Sequence, residues 1–396
     1  MSEDLRQQNL RAPISTTELS RRFKLLRREM EKAGIDCLIA QQSNQFLGGY
    51  VRYLTDVPQD NVGHRTVIFP LNSGMTLISH GGQPLPPGPP AWAVYGVEGC
   101  INLPFYGTLN WSDLMDAEAA VGTLKKLKVK TIGLVGKAMI AATFTDYIRE
   151  KLPDVVLGDA TDLVDEIRAI KSEEELSFIW KTVEMQDTVW GATLALVRPG
   201  MREYEIRSEI QRLLTNLGSE EQLIMIGSAP ANVPSGQKSP FFQNRTVQQG
   251  DQVMIMIEVN GPGGYYAEIG RTICLGDAPK PMLQAWDDAV ELQDKTAEAM
   301  KPGTVPANLF QAHNCGLKQK NYLLEGRIYA HGQGYDAMER PAIRPEEKMT
   351  IKADMMMAIH PFNVNQSAYA FCCDNFVVTE KGAVRMHKTP RKVFTV

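Results

Sequence analysis

Several ionisable residues stand where hydrophobic runs end. Glu258 follows the run VMIMI directly, and His360 follows MMMAI. Glu268 lies beyond a turn at GPGG, ten residues after Glu258. His331 sits in IYAHGQGYDAMERP, followed by Gly332 and Gly334, which allow backbone to approach a ligand closely. Cys373 and Asp374 occupy a return strand after His360. Acids and imidazoles inside strands this apolar are costly to bury unless they are paired or bound to metal. Each has a plainer reading beside it. Glu258 and Glu268 read as an acidic pair on a hairpin surface, Cys373 as a small buried hydrophobe, and His387 as a solvated tail residue. Met254, Met256 and Met355–Met357 read as core rather than as sulfur ligands.

The elements that position these residues come from a faint duplication. One helix ends in VRPG at Pro199-Gly200 and another in KPG at Pro302-Gly303, an offset of 103 residues. The strand of GDQVMIMIEVNG begins after Asp251 and that of ADMMMAIHPFN after Asp354, again 103 apart. RTICLGD follows the first and NFVVTEKG the second. Two such helix–turn–helix–strand units predict one pseudo-symmetric domain, with a ligand site at the seam of its halves. Ser172 and Glu175 have capping-box spacing at the head of its first helix, whose stripe runs through Leu176, Ile179, Val183, Trp190, Leu194 and Val197.

Residues 15–170 alternate helix and strand, from a capped helix between Ser15 and Gly34 through the strands IDCLIAQ, TIGLVG and DVVLGD. That pattern predicts an α/β domain with a partly parallel sheet. The expected domains are therefore 1–170 and 171–396. GGQPLPPGPPAWAVYG, among the elements of the first domain, reads as a stiff surface loop.

Composition narrows the function. Lys and Arg number 42 against 46 Asp and Glu, for a net charge of -4, which argues against a nucleic-acid partner. No apolar run approaches the ~20 residues that span a bilayer, so no membrane partner is expected. The six Cys include no CxxC and fit a reducing, cytoplasmic setting. Cys372 and Cys373 are adjacent, so on a strand they point to opposite faces.

The stretch GDQVMIMIEVNGPGGYYAEIGRTICLG, with IRAIKSEEELSFIWKT, ALVRPGMREYEI, FFQNRTVQQGDQV and NFVVTEKG, resembles the creatinase / prolidase / Xaa-Pro aminopeptidase family over essentially the whole chain. The resemblance implies the pita-bread fold: an α/β N-terminal domain and an α+β catalytic domain with internal pseudo-two-fold duplication. It also implies a homodimer in which each N-terminal domain covers the partner's cavity. The family's metallopeptidases hold metal on two Asp, one His and two Glu. Mapped here, the first Asp position falls on Ile257, or on Glu258 if the turn is one residue longer. The others fall on Glu268, His331, His360 and Cys373, with Asp374 beside the last. The peptidase histidines are missing, since Met338-Glu339-Arg340-Pro341 stands for HExP and Ser235 lies in the upstream region.

The altered set, Glu268, His331 and His360, suits one divalent ion (zinc, iron or manganese) with an open coordination position, and Glu258 or Asp374 adds a ligand or orients one. In that reading the protein is a small-molecule hydrolase, or a lyase similar to the dimethylsulfoniopropionate lyases, with Glu258, His331 and Glu339 as proton-handling groups. Tyr265, Tyr266, Tyr335, Arg340 and Arg344 then offer hydrogen bonds and charge to a small carboxylate-bearing substrate. Two other readings stand. A creatinase-like enzyme works without metal, His331 serving as acid/base for C–N hydrolysis with Glu268 setting its tautomer. A non-catalytic binding protein is the third. Replacement of ligands by other ligand-capable residues favours an enzyme.

Overall fold

Ser15 caps the first helix as its spacing predicts, its hydroxyl accepting from the Glu18 amide at 3.0 Å, and Gly34 ends that helix in the left-handed conformation at φ 65°. The computed structural model describes residues 10–42, 49–58, 64–81, 95–104, 106, 109–112 and 114–396. Most of the proline-rich stretch and the first nine residues lie outside them. The chain divides into two units, Met1–Arg168 and Ala169–Val396.

The first unit contains α1 (Thr16–Ala33), α2 (Tyr50–Thr55), α3 (Met115–Leu127), α4 (Ala142–Lys151) and α5 (Thr161–Arg168). Its strands are β1 (Cys37–Gln42), β2 (Arg65–Pro70), β3 (Met75–His80), β4 (Val97–Leu103), β5 (Thr131–Val135) and β6 (Val156–Asp159). They form one sheet in the order β4-β3-β2-β1-β5-β6. The β3–β4, β1–β5 and β5–β6 pairings are parallel and the two around β2 antiparallel, so the sheet is mixed. Cys37, Ile39, Ile132 and Leu134 meet α3 and α4 in an apolar core.

The second unit opens with α6 (Glu173–Leu196) and α7 (Glu203–Asn216), then β7 (Gln222–Pro230), β8 (Asp251–Asn260) and β9 (Tyr266–Cys274). It repeats with α8 (Lys280–Ala299), α9 (Pro306–Gln319), β10 (Ala330–Gly332), β11 (Glu339–Ala342) and β12 (Met356–Ile359). A small hairpin, β13 (Phe362–Val364) and β14 (Tyr369–Phe371), precedes β15 (Asp374–Thr379), β16 (Gly382–Arg385) and β17 (Phe394–Thr395). At the head of α6 the Ser172 hydroxyl accepts from the Glu175 amide and the Glu175 carboxylate accepts from the Ser172 amide, the full reciprocal box. Ile179, Val183, Trp190 and Val197 of the predicted stripe are buried, while Leu176 and Leu194 are only half-buried.

The duplication survives at the level of single hydrogen bonds. After α6 the chain turns at Gly200, whose N–H donates to Val247 O at 2.8 Å; after α8 it turns at Gly303, whose N–H donates to Ile351 O at 2.8 Å. Both glycines have φ near +90°, which a side chain would strain. One half carries the sheet β17-β9-β8-β7 and the other β11-β10-β12-β15-β16. They are joined where Gly270 and Cys373 exchange two backbone hydrogen bonds of 3.1 and 3.2 Å. Only glycine fits there: a Cβ on residue 270 would stand 2.2 Å from the Phe371 ring.

Strand parity then sorts the side chains. Val253, Ile255, Ile257 and Val259 pack with Val189, Trp190, Ile206 and Ile210 on the helix side. Met254 and Met256 face the other way, onto Phe362, Phe371 and Cys373. In the second half Met355, Met357 and Ile359 enter their own core with Leu309 and Tyr329. The methionines are core residues, as expected.

Candidate metal centre

Glu258 and Glu268 are direct cross-strand partners on β8 and β9, so both leave the hairpin on the side away from α6. Ile257, the other candidate for the first ligand position, is buried in the helix-side core. His331 lies opposite Ala358 on β12, and His360 follows that strand by one residue. These placements bring Glu268, His331 and His360 together, with one ligand atom from each lying within 4.8 Å of the others. His331 Nε2 is 3.8 Å from Glu268 Oε2, and the two imidazoles meet edge to face with centroids 5.1 Å apart. All three are buried. Glu258 and Glu268 are thus an interior pair, not the surface pair of the plainer reading.

The electrostatics suit a cation. Burial pushes the His331 pKa down to about 4 and that of His360 well below its ordinary value, so both rings are neutral and able to ligate. His331 Nδ1 lies 2.9 Å from Gly332 O, where it donates, which leaves Nε2 as the free lone pair. His360 Nδ1 is buried and finds no hydrogen-bond partner among the described residues. Burial, and for Glu258 the neighbouring Glu268 charge, raises both carboxyls above their ordinary range. One buried carboxyl and two neutral imidazoles, one of them with an unpartnered ring nitrogen, make a donor set that fits one divalent ion.

Asp374 does not join the cluster, contrary to the expectation for it as a ligand. It pairs with Ile359 on β12, whereas its neighbour Asn375 pairs with Ala358, the residue opposite His331, so parity turns Asp374 to the other face. There its carboxylate meets Arg271 at 2.7 Å and Arg385 at 3.1 Å. Burial alone would raise its pKa, but Arg271, His387 and Arg385 hold it below the ordinary value. Cys373 is buried beside Glu268 and donates its thiol to the Glu268 carbonyl at 3.5 Å; burial and that carboxylate keep the thiol protonated. Cys372 packs on the opposite side, with Ala285 and Trp286, as the alternation predicts.

Glu339 is also elsewhere. It forms a buried ion pair with Lys171 at 2.7 Å and accepts from the Asp336 amide. Gly332 and Gly334 are small for this loop's sake: a Cβ on Gly334 would stand 2.4 Å from the Glu339 carboxylate, and one on Gly332 would stand 2.6 Å from Arg340 O. They make room for protein, where close approach to a ligand was expected.

Of the five expected substrate contacts, Tyr266 leaves the hairpin on the same side as Glu258 and Glu268, and the others are engaged by neighbouring groups. Tyr265 donates to Glu175 at 3.1 Å and meets the Tyr335 ring at a tilt, and Tyr266 bonds Glu221. Arg340 is taken by Glu347 at 2.6 Å, and Arg344 by Glu346 and the Gly326 carbonyl. The guanidinium near the site is Arg327, unmarked in the sequence reading. Its central carbon lies 3.7 Å from the Phe362 centroid, and Phe362 stands edge-on to His360 at 6.1 Å. It pairs with Glu325 at 2.7 Å yet keeps half of its side chain in solvent.

His387 is buried rather than solvated. It accepts from the Asn375 amide at 3.2 Å on Nδ1 and bonds Gln186 Oε1 at 2.9 Å through Nε2. Asp187 accepts from the amides of Lys388 and Thr389 at 2.8 Å each, pinning the segment to α6. The other groups missed are Gln333 and Asn375. Their one signal is a polar amide inside an apolar strand context, in HGQGY and CCDNFVV.

Residues 178–388 match the family model for metallopeptidase family M24. An Xaa-Pro dipeptidase of Pyrococcus furiosus is 24% identical over 273 residues, 67% of this chain and 75% of that protein. Among solved structures, the X-Pro aminopeptidase from Thermotoga maritima superposes with a TM-score of 0.78 at 19% identity, over 94% of this chain and 99% of that one. The dipeptidase PepE from Mycobacterium ulcerans gives 0.78 at 21% identity, over 97% and 100%. At these identities the likeness is one of fold, and it bears out the pita-bread architecture.

Proposed function

Because the chain belongs to metallopeptidase family M24, we propose that it is a hydrolase acting with a single divalent ion on a small carboxylate-bearing substrate. The observation that carries this is the buried cluster of Glu268, His331 and His360. A divalent ion there supplies Lewis-acid charge that polarises a substrate oxygen and activates water. The chain's own groups do the rest. His331 is held in one tautomer by Gly332 O. Glu258, whose carboxyl burial and Glu268 push upward, is placed to take up and return a proton. Arg327, over the Phe362 ring that borders His360, offers its solvent side to the substrate carboxylate.

Relatives named Xaa-Pro dipeptidases favour a C–N bond as the one broken. Met338 and Ser235 stand where the resemblance places peptidase histidines, which argues for a substrate other than their dipeptides. A homodimer and a cytoplasmic setting belong to the same proposal. The test is metal analysis of protein purified without chelator, with titration of the stripped protein by zinc, iron(II) and manganese(II). One equivalent should bind, and His360→Ala should lose it. Less than about a tenth of an equivalent of any of them would overturn the reading, and hydrolysis by the metal-free protein would favour the creatinase-like alternative.

A further inference from the structure

Glu258 faces the same side of the hairpin as Glu268, yet it is not one of the three clustered ligands. Directly opposed residues of an antiparallel pair have Cβ atoms only about 5 Å apart. Two Glu side chains so placed have the reach to bring both carboxylates to one ion. The first one is instead tethered by an amide. Glu258 Oε1 accepts from Gln333 Nε2 at 2.9 Å. The same Nε2 donates to Ala337 O at 3.0 Å, and Gln333 Oε1 accepts from Asn375 Nδ2 at 2.8 Å. Asn375 Oδ1 in turn accepts from the Glu268 amide at 2.6 Å.

This bridge has one direction. The Ala337 carbonyl only accepts, so the Gln333 NH2 must face it and Glu258. The Gln333 oxygen then meets the NH2 of Asn375, and the Asn375 oxygen meets a main-chain N–H. Gln333 and Asn375 are both fully buried, so neither amide has water as an alternative partner. A lysine or arginine at residue 333 would hold Glu258 too, but it would cancel the charge. An amide fixes the carboxyl and leaves its proton chemistry intact.

We propose that Gln333 is a positioning residue that keeps the Glu258 carboxylate out of the ion's ligand set, so that Glu268, His331 and His360 alone hold the ion. This rests on the metal-dependent reading above. The probe is cobalt(II) added to the stripped full-length protein, read by its visible absorption bands, which report ligand number and geometry. Wild type should take one equivalent. Glu258→Gln should show the same bands, since no ligand is lost. Gln333→Met, which keeps the volume and removes the tether, should shift and weaken the bands as the freed carboxylate enters.

Altered bands in Glu258→Gln, or a loss of affinity beyond about 100-fold, would make Glu258 a ligand and overturn the proposal. Unaltered bands in a folded Gln333→Met would overturn it as well. If Gln333→Met does not fold, the Glu258→Gln spectrum decides alone. Wild-type protein that takes up no cobalt would take down the metal reading itself, and this proposal with it.

Discussion

Replacing Asp374 by Asn separates two accounts of that residue. If it ligated an ion, the variant would lose metal; placed as it is, the variant should lose stability. Its carboxylate and the Arg271 guanidinium are both without solvent exposure and 2.7 Å apart. Removing one charge of such a pair typically costs about 3–5 kcal/mol, because the other is left uncompensated. Arg271 keeps four carbonyl acceptors, on Gly270, Cys373, Thr389 and Pro390. Arg385 keeps the Thr389 carbonyl and reaches solvent. The cost should therefore fall at the lower end, about 3 kcal/mol, or about two decades in the folding equilibrium.

The sign with pH follows from the depressed carboxyl. The pair contributes its stability above the unfolded carboxyl's pKa of about 4 and loses it as pH falls through the lower folded value. The comparison belongs at pH 7, where the contribution is complete. Urea unfolding of metal-free wild type and Asp374→Asn, followed by far-ultraviolet circular dichroism, gives the difference. Cobalt titration in the absence of urea gives the stoichiometry, which should stay at one. A stability change under about 1 kcal/mol together with loss of the ion would refute this reasoning and return Asp374 to the ligands.

Arg327→Ala should raise KM for a carboxylate-bearing substrate with kcat nearly unchanged, and should leave the corresponding carboxamide unaffected; equal loss on both would remove Arg327 from substrate binding. His313, stacked on Tyr329 at 3.8 Å with both ring nitrogens lacking hydrogen-bond partners among the described residues, has its pKa lowered by burial to about 4. A depressed imidazole contributes stability that is complete above about 6.5 and is lost as pH falls, so between pH 7.5 and 5 wild type should lose about 2 kcal/mol more than His313→Phe in urea unfolding. Equal acid losses would count against this burial. Sedimentation should show a homodimer, and a monomer at working concentration would end that part of the proposal.

Much of the architecture was legible because it is written in apolar periodicity and punctuation. The Pro-Gly stops at 199–200 and 302–303 and the Asp-led strands at 251 and 354 exposed the duplication. Ser15 and Ser172 exposed two helix starts, since a cap needs only residues three apart. The three clustered groups were legible for a related reason: each ionisable residue ended or interrupted an apolar run. The engagements of Tyr265, Arg340 and Arg344 were not, because side-chain destination depends on partners that no local pattern marks. Arg340 had Glu347 within seven residues to claim it, whereas Arg327 reaches the site through Phe362, 35 residues on. His387 looked like a tail residue because its partner Gln186, and Asp187 that holds the amides after it, lie some 200 positions earlier, on α6.

The departure of Asp374 from the cluster and the arrival of His331 in it share one cause. A strand presents alternate residues to opposite faces, so a ligand assignment by motif is sound only when the register is known to the residue. On β15 the register puts Asn375, not Asp374, beside the site. On β8 it puts Glu258, not Ile257, there. These two parity decisions exchange one expected ligand for an amide and move an acid one residue along the first strand. The amide at 375 then holds the amide at 333, and that one holds the moved acid. Family resemblance located the seam; the alternation of two strands decides which side chains meet across it, and it brings two imidazoles and one carboxylate together there.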